Sequence, residues 1–330
     1  MTAKATRSLP FSSLVMGNNS VTISVRAQAS FKDGEEHNAC LVALASESGV
    51  LDIGGNATVK AKCGLAALSC EEDAITIDGS ATVDTDSIAT CGTATVPTAN
   101  EDELTEGVQG LEDIYGGLTP PDNPTSREYE CEKFGTGNKK YEAATLQPGT
   151  YSDIVVKCET VLQSGIYVID GGVLDLAGNY NVTGTNVMFV LKNGAYLKWG
   201  GSGNGNKINL TPMQESDFLG TSYADKADQY AGILVFEHRD NVPKDKDGNP
   251  DYSNRPTHTL NGNSNSIIEG LMYMPTGLVK ILGTADIAAQ CLQISAWKIK
   301  VTGNANLETL CPVDETMSVG HSIPEVRLVA

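Results

Sequence analysis

Eight cysteines carry the clearest chemistry in this sequence: Cys40, Cys63, Cys70, Cys91, Cys131, Cys158, Cys291 and Cys311. None stands in a CxxC or CxxH pair, the short spacing that a structural zinc site needs, so they are not read as metal ligands. Taken in order as 40–63, 70–91, 131–158 and 291–311, they lie 23, 21, 27 and 20 residues apart. Four near-equal spans predict sequential disulfides, each closing one turn of a repeating structure, although eight cysteines permit 105 connectivities on sequence alone. A loop of that size constrains the unfolded chain by about 3 kcal/mol. Oxidised pairs persist in export compartments, so the cysteines predict an exported chain of the cell envelope, periplasmic or extracellular.

The other reactive side chains make a weaker case. His37, His238, His258 and His321 are scattered. No nucleophile elbow, phosphate loop or HExxH motif occurs, and no catalytic residue is assigned. Gly201-Ser-Gly-Asn-Gly205 is not followed by a helical pattern, so it is not read as a nucleotide loop. His238, between Glu237 and Arg239, reads as a strand-end residue. One stretch, Asp245, Asp247, Asn249 and Asp251 around Gly248, alternates oxygen side chains as calcium loops do. It suggests Ca2+ as the one candidate cofactor. Pro256 stands at the twelfth position in place of the bidentate Glu, and an acidic hairpin tip is the alternative reading.

The elements that must position these residues are written as a repeat. The pattern apolar-x-apolar-x-Gly-small-x-x-apolar occurs at Leu51–Val59, Ile75–Val83, Leu174–Val182, Val279–Ile287 and Ile299–Leu307, with a looser copy at Leu260–Ile267. Period-two alternation puts two apolar side chains on one face of a short strand. Gly55, Gly79, Gly178, Gly283 and Gly303 then supply a corner. Pro148-Gly-Thr-Tyr151 and Ser164-Gly-Ile-Tyr167 form a second repeat. Strand, corner and strand at a period near 20 residues predict stacked rungs that bury their inner faces against one another. Helix signals are nearly absent; the best stretch, 101–115, is acidic and lacks a 3.6-residue stripe.

The expected fold is all-β: a right-handed parallel β-helix (β-solenoid) over 131–312, preceded by a smaller disulfide-linked β region over 1–96 that holds two repeat copies. Residues 97–130, with Pro97, Pro120, Pro121 and Pro124, read as an acidic linker, and 313–330 as a C-terminal tail. Polar insertions at 213–230 and 239–257 interrupt the rhythm, where loops of such folds carry specificity. Outward carboxylates at Asp52, Asp78, Asp175 and Asp286 fall at different places in the repeat, so they do not stack into the paired acids of a glycosidase or lyase.

Composition narrows the partners. The 330 residues carry a net charge of −18 with 40% hydrophobic and 19% charged residues. That charge repels a phosphate backbone, which argues against nucleic acid, and anionic membrane surfaces for the same reason. No apolar run reaches the ~20 residues that span a bilayer, and no signal-peptide core follows Met1. An exported chain of this kind is expected to have a leader or anchor segment upstream, and a membrane is expected as a partner only through that segment.

Three stretches carry a resemblance to a known family. They are Arg7–Phe11 through Val21–Val25 with Cys40–Leu44, Leu51–Val59 and Cys63-Gly-Leu; then Leu146–Tyr151 with Ser164–Gly172 and Val182–Gly184; then Tyr230–Leu234, Gly270–Pro275, Cys291, Val301–Asn304 and Cys311. In these the chain resembles TadG-like proteins of the tight-adherence (Flp-type) pilus system. The resemblance implies a cell-envelope protein with an N-terminal membrane helix and an exported body, associated with assembly of thin adhesive pili and surface attachment. The membrane helix and the Asp-x-Ser-x-Ser metal-ion adhesion pattern of some relatives are missing. The expected function is therefore a bacterial, non-enzymatic structural or assembly component that binds proteins of a pilus or cell-surface assembly. A β-helix polysaccharide lyase or glycosidase and a free-standing surface adhesin are the alternatives.

Overall fold

The computed structural model describes residues 2–8, 20–26, 28–32, 36–134, 140–200, 207–261, 267–283, 286–289, 291–309, 311, 317–321 and 325–329; Gly201–Gly205 lies outside them. Strand dominates, and one largely parallel sheet gathers 21 strands. Among the described residues, α-helix is confined to two four-residue turns, Glu215–Phe218 and Ala227–Tyr230. The chain is all-β with a large parallel sheet and four disulfides.

Three parallel ladders organise the strands, and the chain visits them in rotation. From Ala144 the successive triplets occupy 144–155, 160–175, 182–199, 208–260, 267–283 and 286–303. The first ladder begins Ala144–Leu146, Thr160–Leu162 and the start of Val182–Lys192. The second runs Gly149–Tyr151, Gly165–Asp170, the end of Val182–Lys192, Ile233–Glu237 and the start of Gly270–Gly283. The third runs Ile154–Val155, Val173–Asp175, Tyr196–Trp199, Thr257–Leu260 and the end of Gly270–Gly283. Every copy of the sequence repeat falls where a third-ladder strand turns the corner into the first ladder. The turn is tight because neighbouring corners touch. Gly55 and Gly79 adopt φ of +72° and +68°, and a Cβ on Gly55 would lie 3.0 Å from the Gly303 nitrogen.

The region 1–96 is not a separate unit in front of the sheet. Leu41–Ala43 and Leu51–Ile53 pair with Leu292–Gly303, and Thr58–Ala61 pairs with Asn306–Thr309. The N-terminal strands thus extend the three ladders beyond the C-terminal ones, and apolar patterning alone could not say which edge they would join. The seventh triplet is composite. Its first-ladder strand is Asn306–Thr309 and its other two are Leu41–Ala43 and Leu51–Ile53. At that break the ends leave together, Glu36–Ala39 antiparallel to Met317–His321 and Gln28–Lys32 antiparallel to Glu325–Val329. The tail expected at 313–330 therefore includes two paired strands.

This order makes the segment expected to be a linker, 97–130, a strap that runs back along the stack. It packs on the outer face of the second ladder, whose outward column Val168, Val190, Phe236, Tyr273, Ser295, Val42, Ala66 and Ala89 is buried throughout. Strands buried on both faces need such a cover. Leu111, Tyr115 and Leu118 of the strap, with Phe218 and Tyr230 of the 213–230 insertion, supply it. At one end of the stack the Asn100 side chain caps the Val83 carbonyl at 3.0 Å. At the other, Tyr129 donates towards Thr160 Oγ1 (3.1 Å) and packs against the core.

One polar knot pins the strap midway. Asp113 Oδ2 accepts from Arg239 Nη2 at 2.6 Å and from the Tyr273 hydroxyl at 2.9 Å, and Arg239 also donates to that hydroxyl. Burial, reinforced by the Asp113 charge, holds the Tyr273 phenol well above its ordinary range, so it remains a donor. Replacing Asp113 by Ala strands these donors, and the expected cost is about 1–2 kcal/mol. Limited proteolysis should then cut faster within 108–123; an unchanged cleavage rate would show that the knot does not hold the strap.

Candidate functional site

The cysteines come together in four bonds: Cys40–Cys63, Cys70–Cys91, Cys131–Cys158 and Cys291–Cys311, with Cα separations of 5.5, 4.4, 6.0 and 4.3 Å. Two of them flank the composite triplet. Cys40 opens the N-terminal strands and Cys311 follows the last C-terminal one, so each bond ties a chain end to its own neighbouring triplet at the point where that end departs. Four disulfides require an oxidising environment, which fits export. No helix among the described residues is long and apolar enough to cross a membrane.

The four residues read as calcium ligands do not converge. Asp245 Oδ1 instead accepts from the amides of Asp247 (2.9 Å) and Asn249 (2.8 Å), closing its own turn. Asp251 caps a short 3-10 turn, accepting from the Ser253 amide at 3.0 Å and from Asn254 Nδ2 at 2.6 Å. These bonds favour the ionised form and hold the Asp251 carboxyl below its usual range. No group of three or more acidic, His or Cys side chains among the described residues is placed to hold a metal ion. The carboxylates of Asp245 and Asp251 thus serve their own turns, as the hairpin-tip reading expects.

Two outward carboxylates of the repeat are likewise engaged, and Asp78 is exposed. Asp52 pairs with Lys300 at 2.5 Å and Asp175 with Lys198 at 3.9 Å, while the Asp286 side chain lies outside the described residues. His238 is half-buried, and burial lowers its imidazole below the ordinary range despite Asp240 at 3.7 Å.

The constellation that sequence reasoning missed lies inside the stack. Glu237 faces inward in the fourth triplet, in register with Leu191, and is fully buried. His258, also fully buried, sits in register with Val279. Glu237 Oε1 accepts from Asn241 Nδ2 (2.7 Å) and His258 Nε2 (3.0 Å), and Oε2 accepts from the amides of Thr276 (2.8 Å) and Gly277 (2.9 Å). The Leu197 amide donates to His258 Nδ1 at 3.2 Å, so the imidazole carries its proton on Nε2 and is neutral. Gly277 is required here because a Cβ would fall 2.0 Å from His258 Nε2.

The cause is the insertion at 239–257. In other triplets a short corner joins the second ladder to the third. Here the chain departs, and the carbonyls that would serve the next triplet's amides leave with it. Glu237 supplies acceptors to the Thr276 and Gly277 amides in their place, and His258 accepts from Leu197 of the preceding triplet. A fully buried cluster cannot meet a substrate, so its role is to hold the corner. Two signals pointed to it: Glu237 ends an apolar run, and His258 is in phase with inward Leu260.

Several concavities open at the surface of the described residues, among them one of about 430 Å³ lined by Ile114, Tyr115, Leu118 and Asp228. One of about 510 Å³ at the Ala144 end is lined by Arg127, Glu128, Glu130, Glu132 and Glu142. Another, of about 330 Å³, lies between strap and insertion and is lined by Asp122, Ile166, Met213, Asp217 and Tyr223. Their chemistry is that of binding surfaces, acidic and partly apolar. No protein-family model, curated protein or solved structure matches this chain.

Proposed function

We propose that the three ladders are the faces of a right-handed parallel β-helix, and that this β-solenoid is an exported structural or assembly component of a Tad/Flp-type pilus or related surface-adhesion system, acting by protein binding. The observation that carries the reading is the rotation of short strands through three parallel ladders, clamped by disulfides where the chain ends depart. Right-handedness follows from the general hand of parallel crossover connections. A rod of stacked rungs with both ends covered by its own strap is protected from edge-on fibre growth, which suits a scaffold. The insertions then divide the work. Phe218 and Tyr230 of 213–230 anchor the strap, leaving Leu219 of that insertion 69% exposed, while 239–257 presents Tyr252, 50% exposed. The net charge of −18 favours a basic partner segment.

The test is site-directed crosslinking in the source cell from positions 219 and 252. The proposal expects crosslinks to pilus or envelope-assembly subunits, and loss of surface pili when the gene is deleted. A chain recovered in the cytosol with free thiols, or pili unchanged by deletion, would overturn it.

A further inference from the structure

The joint between the N-terminal and C-terminal strands has the anatomy of an interface between molecules. Its core is apolar, Leu41 on Ile294, Leu51 on Ile299 and Val59 on Leu307. Its rim is charged and complementary: Lys298 with Glu47 and Lys300 with Asp52, each at 2.5 Å, and Lys60 with Glu308 at 3.5 Å. All four disulfides lie within one side or the other, so no covalent bond locks the joint. The connection between the two sides also has a defined pivot. Val108 is bonded to Thr90 on the N-terminal side and Glu112 to Val319 on the C-terminal side. Between and beside them stand Gly107 and Gly110 at φ of +69° and +101°, both exposed.

We propose that this joint is also made between two copies of the chain: residues 36–106 of each dock on the C-terminal ladders of the other, giving a reciprocally exchanged dimer. The partner is a second copy because only that surface reproduces the parallel register, the apolar column and the three ion pairs together. The exchange costs no contact that the monomer has, except at the two-glycine pivot. The strap tether gives the internal joint a high effective concentration, so the closed monomer prevails in dilute solution and the dimer forms when chains fold in crowded conditions. The inference rests on the pairing across the joint and is independent of the pilus reading.

Charge exchange tests it. One variant carries Glu47→Lys and Asp52→Lys, the other Lys298→Glu and Lys300→Glu. Each alone faces like charge across its own joint, whereas a reciprocal pair restores opposite charge at both. The two full-length chains are unfolded in urea with disulfides intact, mixed, refolded at low salt and read by native mass spectrometry. The expected result is a heterodimer enriched about tenfold or more over either homodimer, and the enrichment shrinks in about 1 M salt, where screening is near 3 Å. A mixture that yields only monomers, or homodimers in equal measure, overturns the proposal. If neither variant refolds, ¹⁵N-labelled and unlabelled wild-type chains are co-refolded at high concentration. Mixed-mass dimers support the exchange and their absence refutes it.

Discussion

Reduction of the disulfides is expected to unfold this protein at neutral pH and ambient temperature, read as loss of the far-UV circular dichroism of its strands. Each bond closes a loop of 20–27 residues, worth about 3 kcal/mol in the chain-entropy account. Together they amount to about 12 kcal/mol, comparable with the whole stability of an ordinary domain. The effect is expected to be uneven. Cys291–Cys311 and Cys40–Cys63 stand where the chain ends leave the composite triplet, so nothing else in sequence holds those corners. Replacing Cys291 and Cys311 by Ser should lower stability by about 3 kcal/mol in urea and loosen Asn306–Thr309 first, visible as hydrogen exchange at that strand. Cys70–Cys91 lies between unbroken triplets, and its loss should be felt globally with no such local opening. Urea midpoints for the two paired-Ser variants, compared with their exchange maps, decide the matter. Equal protection at 306–309 in both would contradict this account of the clamps.

The contrast between those bonds shows what could be read in the residues and what could not. The repeat at Ile299–Leu307 fixed an inward pair, a glycine corner and an inward residue, and the structure puts these on the third ladder, the corner and the first ladder. Alternation and glycine are local signals, and they are legible because each is decided by a few neighbouring residues. Which triplet stacks on which is not local. Any apolar edge of suitable length can receive Leu41–Ala43, and sequence order does not say which one will. The strap was hidden for a related reason. Leu111, Tyr115 and Leu118 have the i, i+4, i+7 spacing of a helix yet form none, since the surface they cover is set by another element's outward column. The second repeat shows a finer limit. Tyr151 and Tyr167 each donate to the carbonyl four residues earlier, at 2.6 and 2.7 Å, yet the ladder pairs Gly149, not Tyr151, with Tyr167. Equivalent local turns stack two residues out of step.

Substitution of Glu237 is the second large effect, and it separates a structural carboxylate from a functional one. Glu237→Ala removes the acceptor for two backbone amides, an Asn and a His, all of them buried. Each stranded donor costs about 1–3 kcal/mol, and breaking a buried partnership of this kind typically costs about 3–5 kcal/mol in total. Glu237→Gln is no rescue, because its amide nitrogen would face either the Thr276 and Gly277 amides or the Nε2 proton of His258. Both variants should therefore lose several kcal/mol in urea unfolding. His258→Gln should lose less, since a carbonyl oxygen can still accept from Leu197 while the amide donates to Glu237. The loss should be confined to folding. A variant that still folds should keep its affinity for the proposed surface partner, because the exposed residue offered to it on 239–257 is Tyr252 and the sealed corner is buried. Equal urea midpoints for wild type and Glu237→Ala would mean that another acceptor serves Thr276 and Gly277, and the explanation of how the stack tolerates a 19-residue excursion at 239–257 would fall with it.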